Sequence, residues 1–431
     1  MTPLEIHHAV DLAIQHQQAG RVQEAERIYR QILADDPGNV DALNLLGVIQ
    51  WQAGRRDNAL ELIRRAIAIQ PRYAEAHYNL GNALLGKGMW DEAIAAFGRA
   101  VALKPGFWKA HVDLASALHQ QGRLDEAIAA WKQVVALKGD DPANHMSLGN
   151  CLMEKECLDE AIAAYRQCIA LNPGDWNPYY ALGKTLEIQG KIAEATAAFQ
   201  AARERAPTGT VSGYYLAALG GVEAPPASPR EYLIDYFDAY AGHFDQHLVK
   251  RLEYRGPQLL LDAVTAAAPK PDLDILDLGC GTGLCGALFR PMARRLIGVD
   301  LSPRMIEKAR QRGDYDELRE MDLTVALEER PRSVDLILAA DVFIYVGRLD
   351  EVIESAARAL RPAGLFAFTI ESLDAGDYCL RPTRRYAQSL AYIRRLAMLC
   401  RFTEVSAQPA VLRKNLDQPV DGFVIVLRAM G

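Results

Sequence analysis

Between Ile275 and Gly286 the chain reads Ile-Leu-Asp-Leu-Gly-Cys-Gly-Thr-Gly-Leu-Cys-Gly, an apolar run that breaks into glycines beside one carboxylate. Ile275, Leu276 and Leu278 suit a strand buried on both faces. Gly279, Gly281 and Gly283 remove Cβ atoms where the backbone has to turn and lie close to a ligand. The residues that follow open a helix, whose free N–H groups attract negative charge. Asp300 closes the next apolar run and lies 19 positions after Gly281, a spacing that suits an acid at a neighbouring strand tip, within reach of both hydroxyls of a ribose. Proton-transfer chemistry has a separate set of candidates upstream, where Tyr236, Tyr240, His243 and His247 share one helical stripe. No histidine follows His247, so a histidine acting as general base in this half of the chain has to be His243 or His247. The same pair also fits imidazoles bonded across a domain edge, or part of a lid in which Tyr240 orients a proton. No third ligand stands at a suitable spacing, and no metal site is expected.

Two cofactors compete for the glycine loop, because Gly281, Gly283 and Gly286 also satisfy G-x-G-x-x-G, with Asp300 as the ribose acid of a dinucleotide. Asp277 favours S-adenosylmethionine. A dinucleotide would bring an anionic pyrophosphate close to that carboxylate, whereas a methionine ammonium is attracted to it. The run Asp277-Leu-Gly-Cys-Gly-Thr-Gly283, with Asp300 and Asp322 at later strand ends, resembles the first motif of class I S-adenosylmethionine-dependent methyltransferases. The resemblance implies cofactor contacts at Asp277, Gly279, Cys280, Gly281, Gly283, Asp300, Leu301, Asp322 and Asp341. The phrase from Tyr236 to Val249, with Tyr254-Arg255, resembles the leader of a bacterial group of repeat-containing methyltransferases.

The elements that would position these residues alternate strand and helix. Ser302 and Pro303 open a helix to Arg312. A third strand is expected over 315–322, a central apolar strand over 334–340 ending at Asp341, and a fifth over 365–370. A helix is expected over 386–400, then strands over 403–412 and 422–428 with no helix between them. That ending fits a reversed final hairpin, and the fold class is a Rossmann-like α/β methyltransferase domain with a mostly parallel seven-stranded sheet, spanning 231–431. Three prolines within 222–230 mark a linker before it.

Residues 6–209 repeat with a 34-residue period and no gap. One position carries Ala25, Ala59, Ala93, Ala127, Ala161 and Ala195, and another carries Ala13, Gly47, Gly81, Ala115, Gly149 and Gly183. A large position holds Tyr29, Ile63, Phe97, Trp131, Tyr165 and Phe199, and proline closes the repeats except at Gly139. The pattern resembles the tetratricopeptide repeat (TPR), which implies an α-solenoid, a superhelix of stacked helix pairs that binds protein or peptide along its groove. Six repeats and a capping helix at Tyr214 to Ala217 give a domain over 6–221. Asn44, Asn79, Asn82, Asn150 and Asn177 fall on or near the groove face, where amides could bond an extended peptide.

A net charge of −7 over 431 residues argues against general nucleic-acid binding. The first residues lack a secretory pattern, no run of 18 apolar residues occurs, and the seven cysteines contain no C-x-x-C pair. A cytoplasmic protein without a membrane span is expected. Its expected function is methyl transfer from S-adenosylmethionine to an oxygen or nitrogen acceptor, with the repeats recruiting a protein substrate or partner. Two alternatives stay open: a small-molecule methyltransferase that self-associates through its repeats, and a peptide-binding adaptor with a non-catalytic cofactor domain.

Overall fold

The computed structural model describes residues 1–242, 244–245, 252–268, 270–415 and 418–430. They form two compact units, Met1–Arg205 and Ala206–Gly431. No helix among the described residues is long and apolar enough to cross a membrane.

The first unit contains twelve α-helices, from Pro3–Gln18 to Ile192–Arg205. The periodic small positions have a direct steric cause. A Cβ built on Gly81, Gly149 or Gly183 would lie 2.5, 2.5 or 2.7 Å from the ring of Phe97, Tyr165 or Phe199, the large residue of the same repeat. The periodic alanines and large residues are all buried, so each helix pair closes on its own aromatic or branched side chain. At the repeat junctions His77, His111 and His145 place Nε2 3.0 Å from the carbonyls of Pro71, Pro105 and Gly139. The junction without proline therefore keeps the same bond. The asparagines are partly engaged within the array: Asn79 donates to Asn44 at 2.9 Å, and Asn150 accepts from the Tyr165 hydroxyl at 2.9 Å.

The second unit is built on a seven-stranded sheet. Its strands are β1 (Leu273–Leu278), β2 (Ala293–Asp300), β3 (Glu317–Glu320), β4 (Val334–Ala339), β5 (Leu360–Glu371), β8 (Phe402–Asn415) and β9 (Gln418–Ala429). The hairpin of β6 (Tyr378–Leu380) and β7 (Tyr386–Gln388) stands apart from it. The order is β3-β2-β1-β4-β5-β9-β8, with β9 antiparallel to both neighbours and the other pairings parallel. Strand order reverses between β1 and β4, which leaves a crevice at their C-terminal ends for a ligand. Ile275, Leu276 and Leu278 are fully buried, as a central parallel strand requires.

Three local expectations change. Residues 386–388 are extended rather than helical, and Ser389 caps a later helix, Leu390–Leu399, by accepting the Tyr392 N–H. The helix Thr210–Ala218, aligned above as the cap of the array, counts with the second unit, where the Tyr214 hydroxyl lies 2.8 Å from Ser228 Oγ. The proline-rich segment is stitched to the loop after β4. Pro226 O accepts the N–H groups of Gly347 and Arg348, Ser228 N–H donates to Tyr345 O, and Pro225 O accepts the Tyr386 hydroxyl.

The repeat geometry predicts opposite outcomes for two glycines. Gly149→Val drives a side chain into Tyr165 and should destabilise the array by about 1–3 kcal/mol. Gly98→Ala, in a helix and with no atom within 4 Å of the added Cβ, should stabilise it by about 0.5–1 kcal/mol. Urea unfolding followed by circular dichroism measures both.

Candidate cofactor and acceptor site

The crevice is a cavity of about 340 Å³ at the C-terminal ends of β1, β2 and β4. Gly279, Gly281 and Gly283 have φ of +60°, +55° and +89°, a left-handed backbone that glycine adopts without a Cβ clash. Gly279 and Gly281 line the cavity together with Cys280, Leu301 and Asp300. The Asp300 carboxylate accepts the N–H groups of Gly281 and Ser302, each at 2.9 Å. Burial pushes its carboxyl up, and these N–H groups oppose the rise.

Asp277 does not reach the cavity wall. It is 1% exposed and accepts a hydrogen bond of 2.6 Å from the Tyr315 hydroxyl. Burial pushes its carboxyl up to about 7, against the pull of that bond. Gly283 is also absent from the wall; a Cβ there would lie 3.2 Å from Tyr315. At Gly286 and Gly298 the added atom would meet the same ring at 2.5 and 2.9 Å. Three glycines thus clear one tyrosine, and two of them, Gly283 and Gly286, belong to G-x-G-x-x-G, so those two have a packing cause that does not depend on which cofactor binds.

Asp322 caps the helix Leu323–Glu328 by accepting the Thr324 N–H at 2.8 Å, while its neighbours Met321 and Leu323 line the cavity. Asp341 lines the wall, with φ +58°, and is paired with Arg413. Tyr240 lines the wall too, its phenol pushed up to about 12 by burial. His243 and His247 lie outside the described residues.

Several residues of the site carry no motif. Arg413 is 1% exposed on β8 and bonds both Asp341 at the tip of β4 and Glu371 at the end of β5. Burial disfavours its charge, yet the two carboxylates outweigh that and raise its pKa. The carboxamide of Gln388 donates to Phe343 O and Val346 O at 2.9 and 2.7 Å, fixing the loop after β4. The leader is tied to the cofactor side. Asp238 accepts from Ser302 Oγ and the Arg304 N–H, and Asp245 accepts from Thr282 Oγ1 and pairs with Arg312. These bonds hold Phe237 and Phe244 against the cavity. The leader phrase contains both acids, but only the folded register shows Asp245 on the glycine loop and Asp238 on the turn after β2.

Comparison with known proteins gives both units a family. A family model described as "Methyltransferase domain" matches residues 276–368, one described as "Tetratricopeptide repeat" matches 10–74 and 78–145, and one described as "TPR repeat" matches 149–190. The chain is 43% identical over 88 residues to human "Methyltransferase-like protein 27", covering 20% of this chain and 36% of the relative. It is 34% identical over 102 residues to "Uncharacterized methyltransferase YodH" of Bacillus subtilis, covering 23% and 43%. To "Ubiquinone biosynthesis O-methyltransferase" of Xylella fastidiosa it is 27% identical over 150 residues, covering 33% and 60%. The chain therefore spans between 36% and 60% of the length of these relatives. Among solved structures it is similar to YrrB, "a TPR protein with an unusual peptide-binding site", with a TM-score of 0.39 at 20% identity over 42% of this chain and 92% of that one. The matched models and the sheet order together show a chain of tetratricopeptide repeats followed by a methyltransferase domain of the class I type.

Proposed function

We propose that the second unit binds S-adenosylmethionine and methylates an oxygen or nitrogen acceptor, while the repeats recruit a protein as substrate or partner. The observation that carries this reading is the meeting of Asp300 and the left-handed glycine loop on the wall of one cavity. In this reading Asp300 takes the ribose hydroxyls, and the backbone of Gly279, Cys280 and Gly281 gives the cofactor a close approach. Gly283 keeps the turn and clears Tyr315. Leu301, Met321 and Leu323 supply an apolar flank for adenine, and Asp322 orders that flank through its helix cap. Asp277 supplies negative potential for the methionine ammonium. Bound S-adenosylmethionine supplies an electrophilic methyl group. The protein aligns the acceptor, excludes water and takes up a proton. Tyr240, with His243 and His247, is assigned to that proton, and Asp341 to the acceptor side of the cofactor. Seven free cysteines and the sequence character support work in the cytoplasm.

Calorimetry on the full chain should show binding of S-adenosylmethionine and none of NAD. Asp300→Ala should weaken S-adenosylmethionine about ten- to a hundredfold, through loss of charge-assisted bonds of roughly 1.5–3 kcal/mol; unchanged affinity would remove Asp300 from the site. A second expectation concerns protons. With Asp277 near 7, an approaching ammonium lowers its pKa, so binding at pH 6.5 should release a proton. Tyr315→Phe removes the bond that opposes the rise and should move this release to higher pH. Binding heats compared in two buffers of different ionisation enthalpy read the effect, and equal heats throughout would exclude Asp277 as the ammonium's partner.

A further inference from the structure

The acceptor end of the cavity carries an electrostatic signature of its own. Among the described residues, four charged side chains line the cavity: Asp300, Asp341, Arg385 and Arg413. Asp300 is held by backbone N–H groups. Asp341 and Arg413 pair with each other, and Glu371 takes a second edge of the guanidinium. Arg385 remains, and none of the described carboxylates pairs with it. It also lines a second, polar cavity of about 230 Å³, which shares Asn415 with the first. The acids of that second cavity do not neutralise it. Glu371 is already bonded to Arg413 and to Arg381, the latter at 3.2 Å, and Asp421 lies within no ion-pair distance of Arg385.

The surrounding wall is largely aromatic. Phe237 meets Tyr345 edge to face at 5.3 Å between ring centroids, and Tyr240 stands on the same cavity. Burial pushes the phenols of Tyr240 and Tyr345 up, and the charge of Arg385 opposes that at both, so the guanidinium acts across the ring wall. Its position is set by a tight turn. Arg381 N–H donates to Arg385 O and Arg384 N–H to Arg381 O, while the next residue, Tyr386, is anchored through its hydroxyl to Pro225 O.

We propose that Arg385 is the anion anchor of the acceptor subsite, and that the methyl acceptor carries a carboxylate on an apolar body lying against Phe237, Tyr240 and Tyr345. This rests on the methyltransferase reading above and narrows it. A guanidinium binds carboxylate through paired charge-assisted hydrogen bonds, about twice as strong as neutral ones, and repels an ammonium or guanidinium acceptor. The Oδ1 atom of Asp341 is buried without a partner among the described residues and suits a protic group on the same acceptor.

The test uses the full chain and two probes of equal shape, 4-hydroxybenzoate and neutral 4-hydroxybenzamide, titrated calorimetrically with and without S-adenosylhomocysteine. The carboxylate should bind at least about tenfold more tightly than the amide. Arg385→Gln, at a half-buried position, should bring the two probes within about twofold of each other and leave S-adenosylhomocysteine affinity unchanged. Equal binding of the two probes to the unaltered chain, no binding of the carboxylate, or a preference that survives Arg385→Gln would each overturn the proposal. Failure of S-adenosylhomocysteine to bind would count instead against the cofactor reading, because the probe preference is also measured without it.

Discussion

The cofactor side of the second unit depends on one buried contact, the Tyr315 hydroxyl on the Asp277 carboxylate. A carboxyl group this deep is costly to ionise unless something donates to it, and no basic side chain bonds to it among the described residues. A tyrosine ring has to enter the layer between the helix Leu284–Phe289 and the sheet to deliver that donor. Its volume requires the absence of Cβ at Gly283 on the turn, Gly286 in the helix Leu284–Phe289 and Gly298 on the next strand. On the same loop the left-handed backbone brings the Gly281 N–H onto the Asp300 carboxylate.

The turn at the glycines, a strand ending at Asp300, the mostly parallel seven-stranded sheet with its reversed final hairpin, and the repeat register were legible because each is written in local spacing. Local spacing also explains the failures. Tyr315 reads as the start of a third strand, yet the strand begins at Glu317 because the tyrosine turns inward. Asp322 stands where a strand-end acid is expected, but the nearest N–H groups belong to its own helix and it caps them. Arg413, Asp341 and Glu371 lie up to 72 positions apart and have no signature in sequence. Their meeting depends on the sheet order, which brings β8 to the end of a sheet whose middle strands hold the acids.

In the repeat unit the same logic works at short range. A glycine on one helix and a ring on its partner are complementary volumes, so a fixed period suffices to identify both. The asparagines are different. Asn44 and Asn79 lie one repeat apart plus one residue and bond each other, which makes them part of the stacking as well as of the surface. Histidines at the junctions satisfy carbonyls that the helix ends leave open.

The stitching of Pro225, Pro226 and Ser228 to the loop after β4 bears on how this protein was assembled in evolution. A methyltransferase module taken from Arg230 onward would leave behind the backbone groups that Gly347, Arg348 and Tyr345 use, and with them the support of the ring wall. The second unit accordingly depends on residues that precede Arg230. An exchange of repeat arrays that keeps the second unit intact would therefore join the two between Arg205 and Ala206.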